Sequence, residues 1–216
     1  MIKTTTLSIF LSLLVSLSVS AQEKSRFGLK AGVNVAWQSR EQPRHEMSPA
    51  FSMHLTGFTE VQLAEKVFLQ PGLSLQGKGY RTELNSSPGA GYRPTNMLYL
   101  EIPVNLLYKF RLPFGNMIAG GGPYAGLGLS GRERGGSDNV FRGVDGSNGY
   151  GNTDYGLNIS LGTELSSRFT LTLQQSIGLD NIAPEAYTVP GPADGLEVVN
   201  GSIKNRVASV SIGYRF

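Results

Sequence analysis

The chain contains no cysteine among its 216 residues, which excludes a disulfide framework, a thiolate metal site and a lipid-modified N-terminal cysteine. It has two histidines and one tryptophan, so His-rich metal sites and His-based catalysis have little to draw on. Charged residues make up 16% of the chain. The formal charge of +3 comes from scattered basic residues, so a nucleic-acid footprint is absent and no nucleic-acid partner is expected. Beyond residue 22 there is neither a long apolar run nor a sustained helical period, which excludes helical membrane spans.

The first residues do carry an apolar run. Met1-Ile2-Lys3 is followed by an apolar, serine-interrupted core from Leu7 to Val19, then by Val19-Ser20-Ala21 as a small-residue cleavage site. Residues 1–21 read as a signal peptide, leaving 22–216 as one domain.

Glycine is abundant, at 28 residues, and eight segments alternate apolar and polar residues with period two. The first spans about 26–38, with Phe27, Leu29, Ala31, Val33, Val35 and Trp37 on one face and Lys30, Asn34 and Gln38 on the other. The others fall near 50–63, 67–78, 98–110, 116–130, 154–165, 169–179 and 205–216. Links after the second, fourth and sixth are a few residues long; those after the first, third, fifth and seventh run through about 39–49, 82–95, 131–153 and 181–203. An even strand count with strictly alternating short and long links predicts an all-β fold: an eight-stranded antiparallel up-and-down transmembrane β-barrel with short periplasmic turns, long extracellular loops and both termini periplasmic.

A soluble barrel would turn the same apolar faces inward. The aromatics favour the membrane reading. Phe27, Tyr108, Phe110, Phe169, Tyr214 and Phe216 fall at the periplasmic ends of the apolar faces, and Trp37, Phe51 and Tyr155 at the opposite ends, as two girdles. Ten steps from Phe27 to Trp37, at about 3.3 Å each and roughly 40–45° of tilt, rise about 25 Å, the height of the apolar band. The lumen then holds Lys30, His54, Glu60, Gln62, Lys78, Glu101, Asn105, Lys109, Glu164 and Arg215. In a barrel just wide enough for side chains to fill, these are expected to pair as a polar plug, and no conducting pore is expected.

Leu98-Tyr99-Leu100-Glu101-Ile102-Pro103-Val104-Asn105-Leu106-Leu107-Tyr108-Lys109-Phe110 resembles the Leu-Glu-Ile-Pro strand of PorT-like outer-membrane β-barrel proteins. Gly121-Gly122-Pro123-Tyr124-Ala125-Gly126, Gly178-Leu179-Asp180-Asn181-Ile182 and the segment from Lys204-Asn205-Arg206 to Phe216 are similar to that family's later segments. The resemblance implies the fold and an outer-membrane location, with a possible accessory role in type IX protein secretion; its motifs imply no catalytic residues.

Candidate chemistry is sparse. Gly126-Leu127-Gly128-Leu129-Ser130-Gly131 matches G-x-G-x-x-G, yet no helix follows it, so small residues in a crowded wall explain it better than a nucleotide. His54 shares a face with Ser52 and Glu60, the minimum for a lipid-modifying hydrolase, but ordinary alternation produces the same spacing. Asp138, Asn139, Asp145, Asn148, Asn152 and Asp154 form an acidic loop without ordered Ca²⁺-ligand spacing. No cofactor or metal is expected, and the chain reads as non-enzymatic. The loops offer Arg40, Arg44, Arg132, Arg134 and Arg142 for phosphates or carboxylates above the membrane, as in lipopolysaccharide. Expected partners are outer-membrane lipid and lipopolysaccharide, the outer-membrane assembly machinery reading the C-terminal Phe216, and a secretion-system or surface protein. Pro71, Pro103 and Pro123 lie inside strands, where bulges or unpaired positions are expected.

Overall fold

A computed structural model describes residues 25–40, 47–83, 92–113, 115–133, 139–141, 149–165, 168–183, 187–190, 196–199 and 201–216. The proposed signal peptide, and with it the maturation site, lies outside these residues. Among them no helix is long and apolar enough to cross a membrane. The strands are β1 (Ser25–Arg40), β2 (Met47–Ala64), β3 (Val67–Glu83), β4 (Tyr92–Leu112), β5 (Gly115–Glu133), β6 (Thr153–Glu164), β7 (Phe169–Gly178), β8 (Tyr187–Pro190), β9 (Leu196–Val199) and β10 (Ile203–Arg215).

Eight of them close into a barrel in the order β1-β10-β7-β6-β5-β4-β3-β2, with every neighbouring pair antiparallel. Closure is made by β1, which pairs Val33 with both Val210 of β10 and Met53 of β2. A lipid-facing wall needs this closure, since an open edge would leave N–H and C=O groups unpaired in hydrocarbon. The outward face is apolar, with Val33 57%, Met53 74%, Ile102 58% and Ile159 60% exposed. Residues with the opposite parity, among them Asn34, Thr56, Ser74, Glu101, Asn158 and Ser209, are buried in the lumen.

Two features depart from the sequence reading. The link 181–203 holds a two-stranded hairpin, β8–β9, with Tyr187 opposite Val199 and Pro190 opposite Leu196. The strands also run past the alternating segments: β3 continues to Glu83 and β4 begins at Tyr92, so the third link shrinks from both sides. The reason is an inversion of faces. Beyond the girdle the outside meets water and carries Arg81 and Asn96, while the inside, at Tyr80 and Met97, becomes apolar. A search for apolar residues on a constant face therefore stops too early.

The three prolines are accommodated without bulges. Pro71 pairs with Val104 of β4, but the β2/β3 ladder skips from Phe58↔Gly72 to Val61↔Leu69. Pro103 pairs with Tyr124 of β5, but the β3/β4 ladder skips from Pro71↔Val104 to Ser74↔Glu101. Pro123 pairs with Leu157 of β6, but the β4/β5 ladder skips from Pro103↔Tyr124 to Leu106↔Gly121. In each case the ladder lapses on one side of the proline and resumes in the same register. A missing N–H thus interrupts pairing with one neighbour only. The bulge in β5 lies elsewhere, at Leu129, between Leu98↔Ser130 and Tyr99↔Gly128.

Candidate functional site

The lumen is filled by two charged layers separated by a neutral one. Near the chain termini, Glu60 on β2, Lys109 on β4, Glu164 on β6 and Arg215 on β10 form a closed ring. Lys109 Nζ lies 2.6 Å from Glu60 Oε2 and 3.4 Å from Glu164 Oε1, while Arg215 Nη1 lies 2.8 Å from Glu164 Oε1 and 3.5 Å from Glu60 Oε2. Gln70 Nε2 donates to Glu60 Oε1 at 3.1 Å, and the Lys109 ammonium sits 4.2 Å from the Phe68 ring centroid. Contributions from alternate strands place the four side chains at one height, as in the layered interior of other small barrels. Outside the ring an open vestibule of about 1320 Å³ has Arg26, Glu65, Lys66 and Arg111 among its lining residues.

The middle layer is neutral. His54 Nδ1 is 2.7 Å from Asn34 Oδ1, which also accepts from Ser209 Oγ at 2.8 Å. Asn34 Nδ2 and Ser52 Oγ both donate to the Gly77 carbonyl, at 3.0 and 2.7 Å, and Thr56 bonds Ser74. Ser52, His54 and Glu60 therefore each have other partners: serine on a backbone carbonyl, histidine on an amide, glutamate in the ring below. The nucleophile, base and acid of a hydrolase are not brought together by them. His45 lies outside the described residues.

The second charged layer centres on Lys78. Its Nζ is 2.6 Å from both Asp154 Oδ2 and Glu101 Oε1. The Asp154 contact is a hydrogen bond, whereas Glu101 approaches off the bonding direction. The ammonium also lies 4.9 and 4.6 Å from the ring centroids of Tyr99 and Tyr124. Asn205 Nδ2 donates to Asp154 Oδ2 at 2.9 Å. Asp154, which ends the Asp/Asn-rich segment and falls on the inward face of the sixth alternating segment, places its carboxylate in the lumen from strand β6. Among the described residues no cluster of acidic or His side chains is arranged to hold a metal. Tyr99 and Tyr124 also line this layer, although a tyrosine in a polar lumen has no composition signal, while Asn205 falls on the lumen face by the alternation of the last strand.

Above this layer the barrel is lidded. Tyr80, Met97, Tyr99 and Phe141 form an apolar cluster against Val140 and Tyr150, with Phe141 edge-on to Tyr99 at 5.3 Å. Residues 139–141 and 149–151 reach it across the barrel mouth through the Phe141↔Tyr150 bridge, the Val140 N to Gly131 O bond and the Gly151 N to Ile182 O bond. Asn139 Oδ1 accepts from Gly131 N and Phe141 N, and so shapes a turn. The G-x-G-x-x-G run now has a packing role. A Cβ on Gly128 would lie 2.5 Å from Phe141, one on Gly131 2.3 Å from Val140, and one on Gly126 3.0 Å from Glu101. The lid and the charged layer need that space.

At the rim, Arg40 Nη2 donates to Tyr150 OH at 3.1 Å and to Gln38 Oε1 at 3.0 Å, and Tyr150 OH meets Tyr80 OH at 2.7 Å. Burial raises the Tyr150 hydroxyl well above the ordinary tyrosine range, so it keeps its proton. Arg132 is exposed at the end of β5. Arg44, Arg134 and Arg142 lie outside the described residues.

The aromatics occupy two heights on the outer wall. Phe27, Tyr108, Phe169 and Phe216 are exposed at the terminal end, with Phe110 and Tyr214 half-buried beside them. There Phe169, Tyr214 and Phe216 pack edge-on in sequence, 5.0 and 5.1 Å apart, and Tyr108 stacks on Phe110 at 5.9 Å. At the other end Phe51 and Tyr155 are exposed, Trp37 is half-buried, and Arg81 lies 5.6 Å from the Phe51 ring centroid.

Residues 20–183 match the family model of the outer membrane protein beta-barrel domain. No curated protein matches the chain. Among solved structures it is similar to the outer membrane protein OprG from Pseudomonas aeruginosa, at 12% identity over 89% of this chain and 96% of that one, with a TM-score of 0.49. It is also similar to Neisserial surface protein A, at 12% identity over 88% and 97% with a TM-score of 0.47. A third is Ail, the attachment invasion locus protein of Yersinia pestis, at 8% identity over 89% and 99% with a TM-score of 0.44.

Proposed function

Because the chain belongs to the outer membrane protein β-barrel domain family, whose members are integral to the bacterial outer membrane, we propose that it is a non-conducting, non-enzymatic barrel acting through its loop end, which faces outward while both termini face the periplasm. The observation that carries this reading is the filled lumen: two charged layers, a hydrogen-bonded layer between them and an aromatic lid leave the exterior as the working surface. The orientation follows from the short links, which lie at the end that also carries Ser25 and Phe216. Arg40 and Arg132, with Arg44, Arg134 and Arg142 in the adjoining loops, suit phosphate or carboxylate groups such as those of lipopolysaccharide or an acidic surface partner.

The test is conductance together with loop trimming. Purified protein in planar bilayers should give no stable open channel. Replacing 142–148 and 191–195 by tight turns should leave the heat-modifiable, folded barrel intact and abolish surface binding. Sustained conductance, or binding that survives both deletions, would refute the proposal. The Leu98–Phe110 resemblance favours a finer version, in which the bound partner is a component of type IX secretion; that version predicts co-purification with export machinery after gentle extraction, and fails if the barrel purifies alone.

A further inference from the structure

On the outer wall, β10 presents Lys204, Arg206 and Ala208 in succession from the loop end toward the middle of the membrane. Trp37 of β1 is the cross-strand neighbour of Arg206, and Gln175 of β7 is that of Ala208. Arg206 is held by Nη1, which donates to the Gly178 and Asn205 carbonyls at 2.6 and 3.4 Å; its Nε and Nη2 have no partner among the described residues. Among those residues no carboxylate lies within ion-pairing distance of Arg206 or Lys204. A guanidinium anchored at one edge offers the other as a fixed fork, which suits a phosphate.

Below these cations the wall is grooved. A depression of about 690 Å³ crosses β1, β10, β7, β6 and β5 between two cross-strand rows of outward side chains, one through Ala208, Gln175 and Ile159, the other through Val210, Leu173 and Leu161. Ala208 lies two residues from Arg206, which at about 3.3 Å per residue and roughly 40–45° of tilt is about 5 Å deeper in the membrane. Its short side chain keeps that part of the row low. Gln175 breaks the apolar pattern: among the described residues it is the only amide or charged side chain facing outward between the two girdles. Its Nε2 donates to the Ser176 carbonyl at 3.2 Å, which occupies one N–H, and its Oε1 has no partner among those residues. A polar group at this depth is costly without a partner, and such groups mark sites.

We propose that this stretch of wall binds one molecule of lipid A, the acylated and phosphorylated glucosamine anchor of lipopolysaccharide. Its phosphate sits on the open edge of Arg206 and on Lys204, its sugar packs against the Trp37 indole, and an acyl chain lies in the groove. The amide that links such a chain to the sugar meets Gln175, its N–H donating to Oε1 and its carbonyl accepting from the second N–H of Nε2. An ester-linked phospholipid has a phosphate and chains but no N–H for Oε1, so Gln175 selects the amide-linked lipid. Charge, apolar groove and amide thus occur in the order in which the lipid carries phosphate, linkage and chain.

The inference rests on the outward orientation of the loop end proposed above, whereas its test in detergent does not, so the two can fail separately. The full mature barrel, refolded in neutral detergent, is titrated with lipid A, with lipid A stripped of its phosphates and with phosphatidylglycerol. Native mass spectrometry should show one lipid A per barrel, and the emission of Trp37, the single tryptophan, should shift to saturation. Removing the phosphates, or offering phosphatidylglycerol instead, should weaken binding by about tenfold or more, the worth of a lost charge-assisted hydrogen bond. Arg206→Gln and Ala208→Phe should weaken lipid A binding comparably, and Gln175→Leu should erase the preference for lipid A over phosphatidylglycerol. Arg93→Gln, the same change of charge on β4, should leave binding unchanged. Equal affinity for the phosphate-free lipid or for phosphatidylglycerol, or an Arg206→Gln barrel that binds as tightly as the wild type, would overturn the proposal. The wild-type comparison of the three lipids decides the matter even where a variant fails to insert.

Discussion

Replacing Lys78 with methionine isolates the energetics of the barrel interior. Lys78 is 1% exposed, and its Nζ touches Asp154 and Glu101 at 2.6 Å each. At an effective dielectric of about 20, each contact represents roughly 6 kcal/mol of gross attraction, most of it offset by the desolvation of the ions. The two carboxylate oxygens cannot be more than about 5 Å apart, because both touch one nitrogen. Removing the cation therefore leaves roughly 3 kcal/mol of repulsion between buried anions, or requires one of them to take up a proton. Methionine fills similar volume without the charge, so the expected loss of stability is about 3–5 kcal/mol, the range for breaking a buried pair. Adding Glu101→Gln and Asp154→Asn to Lys78→Met should recover all but about 1 kcal/mol, since no unpaired charge then remains. Urea unfolding of refolded protein in lipid vesicles, followed by the single tryptophan, Trp37, measures both numbers. A Lys78→Met protein within about 0.5 kcal/mol of wild type, or a triple variant no better than the single one, would refute the reasoning.

Three further outcomes are expected. Val33→Arg places a charge on the lipid face between the girdles and should cost about 2–4 kcal/mol in the same unfolding assay, whereas Ser160→Ala inside the lumen should cost well under that; equal costs would reverse the assignment of faces. Gly128→Val collides with the Phe141 ring and should cost about 1–3 kcal/mol while exposing residues 139–141 and 149–151 to protease, the barrel remaining heat-modifiable; unchanged cleavage would show that the lid does not depend on that contact. Terminal sequencing of the membrane-inserted protein should begin at Gln22, and a retained Met1 would refute cleavage after Ala21.

The strands were legible because a wall between lipid and a packed lumen forces period two on each crossing, and Val33 or Ile159 can face only one way. The signal fails where that wall ends. Tyr80 and Met97 point inward and Arg81 and Asn96 outward beyond the girdle, so the rule that locates the membrane misplaces the strand ends. The β8–β9 hairpin was missed for a related reason. Tyr187-Thr188-Val189 and Leu196-Glu197-Val198-Val199 are β-branched runs around glycines, but three nearby prolines made the stretch read as a plain loop.

The interior was legible as a set of residues but not as an arrangement. Parity assigns a side chain to the lumen and gives no height, because the heights at which inward residues meet depend on strand tilt and on stagger accumulated around the ring. Lys78 meets Asp154 across 76 residues, and Arg215 meets Glu164 across the β10–β7–β6 arc. Sequence order gives no hint of either pairing. Stagger sorts the charged side chains into two layers that each pair within themselves, Glu60, Lys109, Glu164 and Arg215 at one height and Lys78, Asp154 and Glu101 at another.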